Sequence, residues 1–268
     1  MEKNLIYNLK DDFEKIIAQC PIIINSRFLN AIPLNNGKSS FCFSVQTDNA
    51  KYIFKFPRTI FQYRSVEYEK SVVSSLYKRI ICEIPKINVY VDGDMRPYIV
   101  YEQIEGEDMA DTKLTEDEAR NLCRQLVQNL IRIHSLKQED LNFPLITKKQ
   151  SLINFSAEFN YQPKFDLIED VLAENSVIHG DFHRKNIILD THKKLSGIID
   201  FTTFSTGSIY FDIGHFVFST KEGLGTIFLD EYQRVTNMKI DEDKLTRVID
   251  FLYDLIKKNY LPFINSQG

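Results

Sequence analysis

The feature that most constrains this chain is a polar loop that leads directly into a short β-hairpin. The loop reads His179-Gly180-Asp181-Phe182-His183-Arg184-Lys185-Asn186. An apolar strand over 187–189, a polar turn and a returning strand over 195–199 follow it. Because a hairpin brings its two ends together, we expect Asn186 and Asp200 to face the same point, with Asp181 beside them.

The residue types in this loop suit the transfer of a phosphoryl group. The amide oxygen of Asn186 and the carboxylate of Asp200 are hard oxygen ligands, which suit Mg²⁺ when phosphate and water fill the remaining positions. The second carboxylate, that of Asp181, then binds no metal and can accept a proton. A metal site beside a proton acceptor is the set of groups that phosphoryl transfer uses.

Length, charge and cysteine content narrow the class of protein. The 268 residues suffice for one large domain or two lobes. The net charge of −4 argues against nucleic acid as a partner and is compatible with a cationic substrate. The four cysteines lack paired spacing, so we expect buried free thiols rather than a zinc or disulfide site. With no signal-peptide run and no stretch of about 18 apolar residues, we expect a cytoplasmic protein without a membrane partner. We also expect a monomer or a weak dimer.

The N-terminal part of the chain has the pattern of an antiparallel sheet. Short apolar runs favour strands from Ile22 to Phe56, and further strands are expected within 87–101. The chain then leaves the sheet through Glu102-Gln103-Ile104, and helical periodicity begins soon afterwards. We therefore predict an α+β fold of two lobes, with a β-rich nucleotide-binding lobe at 1–102. The larger helical lobe, 103–268, carries the catalytic loop and the substrate site.

The loop over 35–40 matches a phosphate-binding P-loop only in part. It contains Gly37-Lys38-Ser39, but the motif needs a glycine at position 32, which is Ile here, and a helix where a strand follows. We interpret it instead as a turn between strands that leans over the phosphates of a nucleotide. Its donors are backbone N–H groups, and the candidates are Ser39 and Ser40.

A lysine in an apolar strand and a glutamate in the next helix are predicted to form a pair. Lys55 lies between Phe54 and Phe56, and strand alternation turns it to the face opposite both. Residues 60–78 have helical periodicity, and Glu69 falls on the apolar stripe. A carboxylate that faces the core needs a cation, and Lys55 is the natural one. Such a pair would direct the lysine toward phosphate oxygens.

Several features of the C-terminal part bear on the catalytic loop. Thr115 and Glu118 form the capping box of a helix, and His134 near its end is predicted to be structural rather than catalytic. Residues 137–164 are polar and are predicted to be irregular. Asp212 is predicted to be a helix N-cap that orders the catalytic loop, in preference to a chemical role.

The motif His179-Gly180-Asp181-x-His183-x-x-Asn186, with Ile199-Asp200-Phe201, resembles the catalytic core of the aminoglycoside phosphotransferase family, which has the protein-kinase-like fold. The strand of Lys55 and the helix of Glu69 agree with that family. The stretch around Lys55 is particularly similar to the branch that modifies the 2″ hydroxyl of aminoglycosides. The resemblance covers roughly residues 30–220, in the right order.

The resemblance implies a role for each of these residues. Asp181 accepts or orients the proton of the substrate hydroxyl. Asn186 and Asp200 hold Mg²⁺ between the nucleotide phosphates. Lys55, fixed by Glu69, contacts the α- and β-phosphates, and the backbone of the hinge segment Glu102-Gln103-Ile104 binds the purine, for which its N–H and C=O groups are suited.

The predicted function is that of a kinase that moves the γ-phosphate of ATP or GTP to a hydroxyl of a small, amine-bearing molecule. An aminoglycoside antibiotic is the first candidate, and an amino alcohol, a sugar or another antibiotic is the alternative. A protein kinase is less favoured, because the short segment from Asp200 to Asp212 leaves little for a protein substrate to dock on. A regulator without transfer activity is disfavoured as well, since such a protein is expected to lack one of the key residues.

Overall fold

The structure is a computed structural model that describes residues 7, 12–24, 26–34, 40–220 and 223–262. The chain divides into two units. The first combines Met1–Ser74 with Pro85–Gln103, and the second combines Ser75–Ile84 with Ile104–Gly268. A β-sheet dominates the first unit and helices dominate the second, so the predicted α+β class is confirmed.

The first unit is built on a five-stranded antiparallel sheet with the strand order β1-β2-β3-β5-β4. Its strands are β1 (Phe28–Leu34), β2 (Ser40–Thr47), β3 (Lys51–Pro57), β4 (Asn88–Val91) and β5 (Pro97–Glu102). The central strand β3 is buried on both faces over its second half. On one face Phe54 and Phe56 pack in an apolar core, where the ring of Phe13 lies 4.9 Å from that of Phe56.

The described part of this unit also contains the helices α1 (Phe13–Ala18), α2 (Pro21–Ile24) and α3 (Ile60–Leu76), the last of which ends two residues beyond Ser74. The strand predicted from Ile22 was wrong at its start, because this segment belongs to α2. Proline is suited to the first position of a helix, where its missing N–H has no intrahelical partner to lose. The N–H of Ile24 then donates to the carbonyl oxygen of Cys20 at 3.2 Å.

The second unit is largely helical. Its helices are α4 (Glu116–His134), α5 (Lys148–Ala157), α6 (Glu169–Leu172), α7 (Tyr210–Ser219), α8 (Leu224–Thr236) and α9 (Glu242–Leu252), with a π-helical continuation at Tyr253–Tyr260. Its short strands are β6 (Glu107–Asp108), β7 (Ser176–Ile178), β8 (Ile187–Leu189), β9 (Leu195–Ile198) and β10 (Ser205–Gly207). They form a three-stranded sheet, β6-β8-β9, and a pair, β10-β7. Over the described ranges, no helix combines the length and the apolar character needed to cross a bilayer.

Two helices of this unit show what capping does. The hydroxyl of Thr115 accepts the N–H of Glu118, whose carboxylate accepts the N–H of Thr115, so the predicted capping box of α4 is confirmed. Helix α5, by contrast, lies within 137–164, where the prediction of irregular structure was wrong. Its start is fixed by Thr147, whose hydroxyl accepts the N–H of Gln150 at 3.1 Å.

The hairpin that follows the catalytic loop forms as predicted. Strands β8 and β9 pair antiparallel, with Ile187 opposite Ile198. One step beyond the pair, the N–H of Ile199 donates to the carbonyl oxygen of Asn186 at 3.0 Å. The last residue of the loop and the residue that precedes Asp200 therefore lie side by side.

Candidate active site

The catalytic loop leaves β7 through a glycine that no other residue can replace without strain. Gly180 has φ of +83°, and a Cβ atom built there would lie 2.3 Å from the carbonyl oxygen of Thr203. Both the left-handed conformation and the close approach of another backbone require glycine. The sharp bend at Gly180 places Asp181 at the start of the polar loop.

A buried carboxylate holds this bend in place. Asp212 accepts the N–H of Gly180 at 2.7 Å and the N–H of His179 at 2.9 Å. The Nε2 atom of His134 lies 2.9 Å from the same carboxylate, and its Nδ1 atom lies 3.0 Å from the hydroxyl of Tyr232. Asp212 lies in the first turn of α7, so its prediction as an N-cap was wrong. Its predicted ordering of the loop is confirmed, and the contacts of His134 are structural.

Asp181 lies between two histidines. Nε2 of His183 is 3.5 Å from its Oδ2 atom, and Nδ1 of His215 is 3.4 Å from its Oδ1 atom. About a third of the side chain remains exposed, at 31%. Burial lowers the pKa of His215 to about 3, so this ring is neutral at neutral pH. Because the Asp181 carboxylate is accessible and its buried neighbour His215 is neutral, Asp181 can receive a proton from a bound hydroxyl.

Charges around Asp181 keep it ionised. Burial by itself would raise the pKa of this carboxyl, but the nearby charges of His183 and Lys148 outweigh it and hold that pKa well below its usual range. In return, although burial lowers the pKa of His183, the Asp181 carboxylate raises it above the ordinary histidine value. Asp181 is therefore a carboxylate throughout the neutral range.

Sequence reasoning missed Lys148 and His215. Lys148 lies in the segment predicted to be irregular, and its ammonium group donates to the carbonyl oxygen of Gly180 at 2.5 Å. Thr147 as a possible helix cap was the one signal for its position. His215 lies one helical turn beyond Asp212 on α7, and that spacing could have placed it on the same face.

The side chains of the two predicted metal ligands are each held by a hydrogen bond. The amide nitrogen of Asn186 donates to the main-chain oxygen of Asp181 at 3.0 Å, which leaves its Oδ1 atom as the ligand oxygen. Asp200 has φ of 63°, an uncommon value for a residue other than glycine and one often found at functional sites. The hydroxyl of Thr202 donates to Oδ1 of Asp200 at 2.6 Å and fixes its rotamer.

The oxygens assigned to a metal are Oδ1 of Asn186 and the carboxylate of Asp200. Over the described ranges, no group of three or more His, Cys, Asp or Glu side chains is arranged to hold an ion. Magnesium commonly takes one or two protein oxygens and completes its shell with phosphate and water. The donor set of Asn186 and Asp200 fits that pattern and not a closed structural site.

The predicted ion pair is present in the first unit. Nζ of Lys55 lies 3.0 Å from Oε2 of Glu69, and their side chains are 9% and 5% exposed. Lys55 lies on β3 and Glu69 on α3, as the two periodicities predicted. The pair fixes the position of the lysine ammonium on its face of the sheet.

The remaining predicted nucleotide contacts have mixed outcomes. Ser39 lies outside the described residues, with most of its loop. Ser40 is the first residue of β2 and is buried, with its hydroxyl 3.5 Å from Oε1 of Gln62. Its side chain is therefore turned inward, which leaves only its backbone for a phosphate.

One of the backbone groups of the hinge segment is already hydrogen-bonded within the sheet. Glu102 ends β5, and the N–H of Gln103 donates to the carbonyl oxygen of Lys51 at 2.8 Å. By strand alternation, the N–H and C=O of Glu102 point away from β3. The side chain of Ile104 is buried. The N–H of Gln103 is thus already used, in contrast to the free groups predicted for the whole segment.

An ionised, accessible Asp181 beside an amide and a carboxylate suited to Mg²⁺ is the chemistry of phosphoryl transfer. The five-stranded antiparallel sheet and the helical second unit are the architecture of protein-kinase-like proteins. Fold and site together define the class of the protein as a small-molecule kinase with that fold. The particular family follows from its sequence: the model of the phosphotransferase enzyme family, APH, matches residues 31–245, and the chain belongs to this family.

Individual relatives are more distant. A probable aminoglycoside 3'-phosphotransferase of Lactococcus lactis subsp. lactis (strain IL1403) is 26% identical over 182 residues, which are 59% of this chain and 68% of that protein. The GDP complex of wild-type aminoglycoside 2'-phosphotransferase-IIIa has a TM-score of 0.70 at 15% identity, covering 95% of this chain and 97% of that one. A macrolide 2'-phosphotransferase type I has a TM-score of 0.64 at 13% identity, covering 97% and 96%. At these identities the two solved structures show the shared fold.

Proposed function

We propose that the protein transfers the γ-phosphoryl group of ATP or GTP to a hydroxyl of a small, amine-bearing molecule, with an aminoglycoside as the first candidate. The observation that carries this proposal is the accessible, ionised Asp181 between His183 and His215. The names of the similar phosphotransferases support the acceptor class. The net charge of −4 is compatible with a cationic acceptor.

The proposed transfer uses Asp181 for the proton and Asn186 and Asp200 for the metal. The acceptor hydroxyl oxygen forms a bond to the γ-phosphorus while the bond to the bridging oxygen breaks, and the nucleoside diphosphate leaves. The hydroxyl proton passes to the carboxylate of Asp181, which also orients the nucleophile. Asn186 and Asp200 would hold Mg²⁺, which neutralises charge on the phosphates when it is bound.

The nucleotide contacts are proposed for the N-terminal lobe, residues 1–102, while residues 103–268 carry the catalytic loop and the acceptor site. Lys55, fixed by Glu69, contacts the α- and β-phosphates. The backbone N–H groups of Ser39 and Ser40 are further candidates for donors to the phosphates. At the hinge we assign the purine edge to the peptide groups of the Glu102–Ile104 segment other than the N–H of Gln103, because that N–H is already bonded.

A turnover screen tests the proposal. Aminoglycosides, amino alcohols, sugars, macrolides and a casein-like protein are each incubated with Mg·ATP and with Mg·GTP, and the acceptor is analysed for added phosphate by mass spectrometry. We expect phosphate on an amine-bearing acceptor and none on the protein. Asp181→Ala is the inactive comparison, and Asp117→Asn, an exposed aspartate in the first turn of α4, is the control. Nucleotide binding without transfer to any acceptor would contradict the proposal.

A further inference from the structure

We propose that Lys148 is a positioning residue for Asp181. Its buried ammonium group holds the Gly180–Asp181 peptide in place through a hydrogen bond to the carbonyl oxygen. The inference rests on the proposed phosphoryl transfer and extends it to a residue of α5. Nζ of Lys148 donates to the carbonyl oxygen of Gly180 at 2.5 Å, and only 3% of the residue is exposed. That carbonyl belongs to the same peptide group as the N–H of Asp181.

Backbone contacts between the start of α5 and strand β10 bring Lys148 close to this peptide. The N–H of Thr206 in β10 donates to the carbonyl oxygen of Ile146 at 2.9 Å, which anchors the start of α5. Strand β10 pairs with β7, which leads into the catalytic loop. Gly207 makes room for the lysine, because a Cβ atom there would lie 2.7 Å from Cβ of Lys148. The stem of the lysine therefore passes over a glycine to reach the loop.

A lysine is an unfavourable choice at this place unless its charge is used. An ammonium group loses much of its hydration on burial, and the first turn of a helix favours anions over cations. Lys148 occupies the first position of α5 and is buried. A neutral side chain such as methionine would fill the same space without either cost, so the positive charge has to be balanced by something specific nearby.

The groups that face Lys148 supply this balance. Asp181 on the loop and Asp212 on α7 act on it as anions, and the ring of Phe211 has its centroid 5.3 Å from Nζ. His215, also on α7, is neutral beside them. Burial lowers the pKa of Lys148 to about 8, against the opposing effect of the two carboxylates. The Lys148 ammonium thus interacts electrostatically both with the residue that accepts the proton and with the residue that orders its loop.

The loop around Asp181 is therefore held from two sides. Asp212 takes the N–H groups of His179 and Gly180, and Lys148 takes the carbonyl oxygen of Gly180. Both polar atoms of the Gly180–Asp181 peptide are also engaged, because the N–H of Asp181 donates to Nδ1 of His179 at 3.3 Å. Removing Lys148 would free the carbonyl oxygen of this peptide and would also remove a positive charge near the Asp181 carboxylate.

The test compares Lys148→Met with Lys149→Met, which removes the neighbouring, exposed lysine of the same helix. We expect Lys148→Met to lower kcat by about ten- to one-hundred-fold, the scale of a small misplacement of a catalytic group, with little change in the KM for the nucleotide. Lys149→Met should change neither the kcat nor this KM. A folded Lys148→Met enzyme with wild-type kcat would overturn the proposal.

Hydrogen exchange provides a measurement that does not depend on activity. In Lys148→Met, amide exchange should accelerate within residues 177–186 and not in α5 alone. If the wild-type protein transfers no phosphate, the proposed function fails, while exchange still decides the role of Lys148. Acceleration confined to α5 would overturn the proposal.

If Lys148→Met does not fold, Lys148→Arg and Lys148→Gln replace it. At least about ten-fold higher kcat in the charged variant than in the neutral one supports positioning by charge. Equal kcat in the two variants, or failure of both to fold, would overturn the proposal by making Lys148 a residue of the fold.

Discussion

The carboxylate of Asp212 accepts the main-chain N–H of Gly180 at 2.7 Å, and its second oxygen accepts that of His179 at 2.9 Å. Asp212 is fully buried, and burial alone would raise its pKa, but the hydrogen bond and charge of His134 outweigh this and lower it. A single ionised carboxylate of α7 therefore determines the course of the backbone just before Asp181.

Replacing Asp212 with asparagine should disorder this bend. Asparagine has an amide nitrogen in place of one oxygen, so one of the two N–H groups would face another donor. We expect Asp212→Asn to lower the free energy of unfolding by on the order of 3 kcal/mol, the range for hydrogen bonds to charged groups, and to remove most turnover. Urea denaturation and kcat measure the two effects. Asp117→Asn is the control, and equal stability of both variants would contradict the role assigned to Asp212.

The two carboxylates of the site should separate in their effects on binding and turnover. Asp181→Ala is expected to lower kcat by about 10²- to 10⁴-fold, the usual contribution of a proton acceptor, while nucleotide affinity stays nearly unchanged. Asp200→Ala should lower kcat as well and should also weaken Mg²⁺-dependent nucleotide binding, because it removes a metal ligand. Steady-state kinetics and titration with a fluorescent nucleotide distinguish them. Full activity of Asp181→Ala would remove its assignment as the base.

Local patterns in the sequence were sufficient to predict part of this site. The hairpin after the loop fixes Asn186 relative to Asp200, since strand pairing is set by the turn between them. Lys55 and Glu69 were predicted to pair because one lies on a strand of period two and the other on a helix of period 3.6. In each case the partners are close in sequence, and the secondary structure alone determines their geometry.

The remaining partners of Asp181 depend on packing between distant segments. Lys148 lies 33 positions before Asp181 and His215 lies 34 positions after it, on helices whose docking the sequence does not specify. Helix α5 itself has a weak apolar pattern, and only its Thr147 cap marks it. The short helix at Pro21 was mistaken for a strand because three consecutive isoleucines favour strands, whereas a proline at the first helical position decided otherwise.

The buried pair in the first unit predicts a non-additive effect. Glu69→Ala leaves the Lys55 ammonium without its carboxylate in a buried place, and breaking such a pair costs about 3–5 kcal/mol. The double variant Lys55→Met/Glu69→Leu removes both charges and should recover much of that stability. It should nevertheless have a raised KM for the nucleotide, since the ammonium group of Lys55 that is proposed to contact the phosphates is gone. Denaturant unfolding of both variants and nucleotide kinetics of the double variant are the measurements, and a double variant no more stable than Glu69→Ala would contradict the pairing.

The ion pair between Asp170 on α6 and Arg247 on α9 predicts a pH dependence of stability. The two guanidinium nitrogens lie 2.7 and 3.0 Å from the two carboxylate oxygens. The hydrogen bond to Arg247 lowers the pKa of Asp170 to about 2. Because the folded-state pKa lies below the unfolded value of about 3.9, the pair stabilises the protein above that value and loses its effect as the pH falls toward 2. The difference in unfolding free energy between wild type and Asp170→Asn should therefore shrink from about pH 6 to about pH 3, while exposed Asp166→Asn serves as the control. A difference that stays constant as the pH falls would contradict the ion pair as its source.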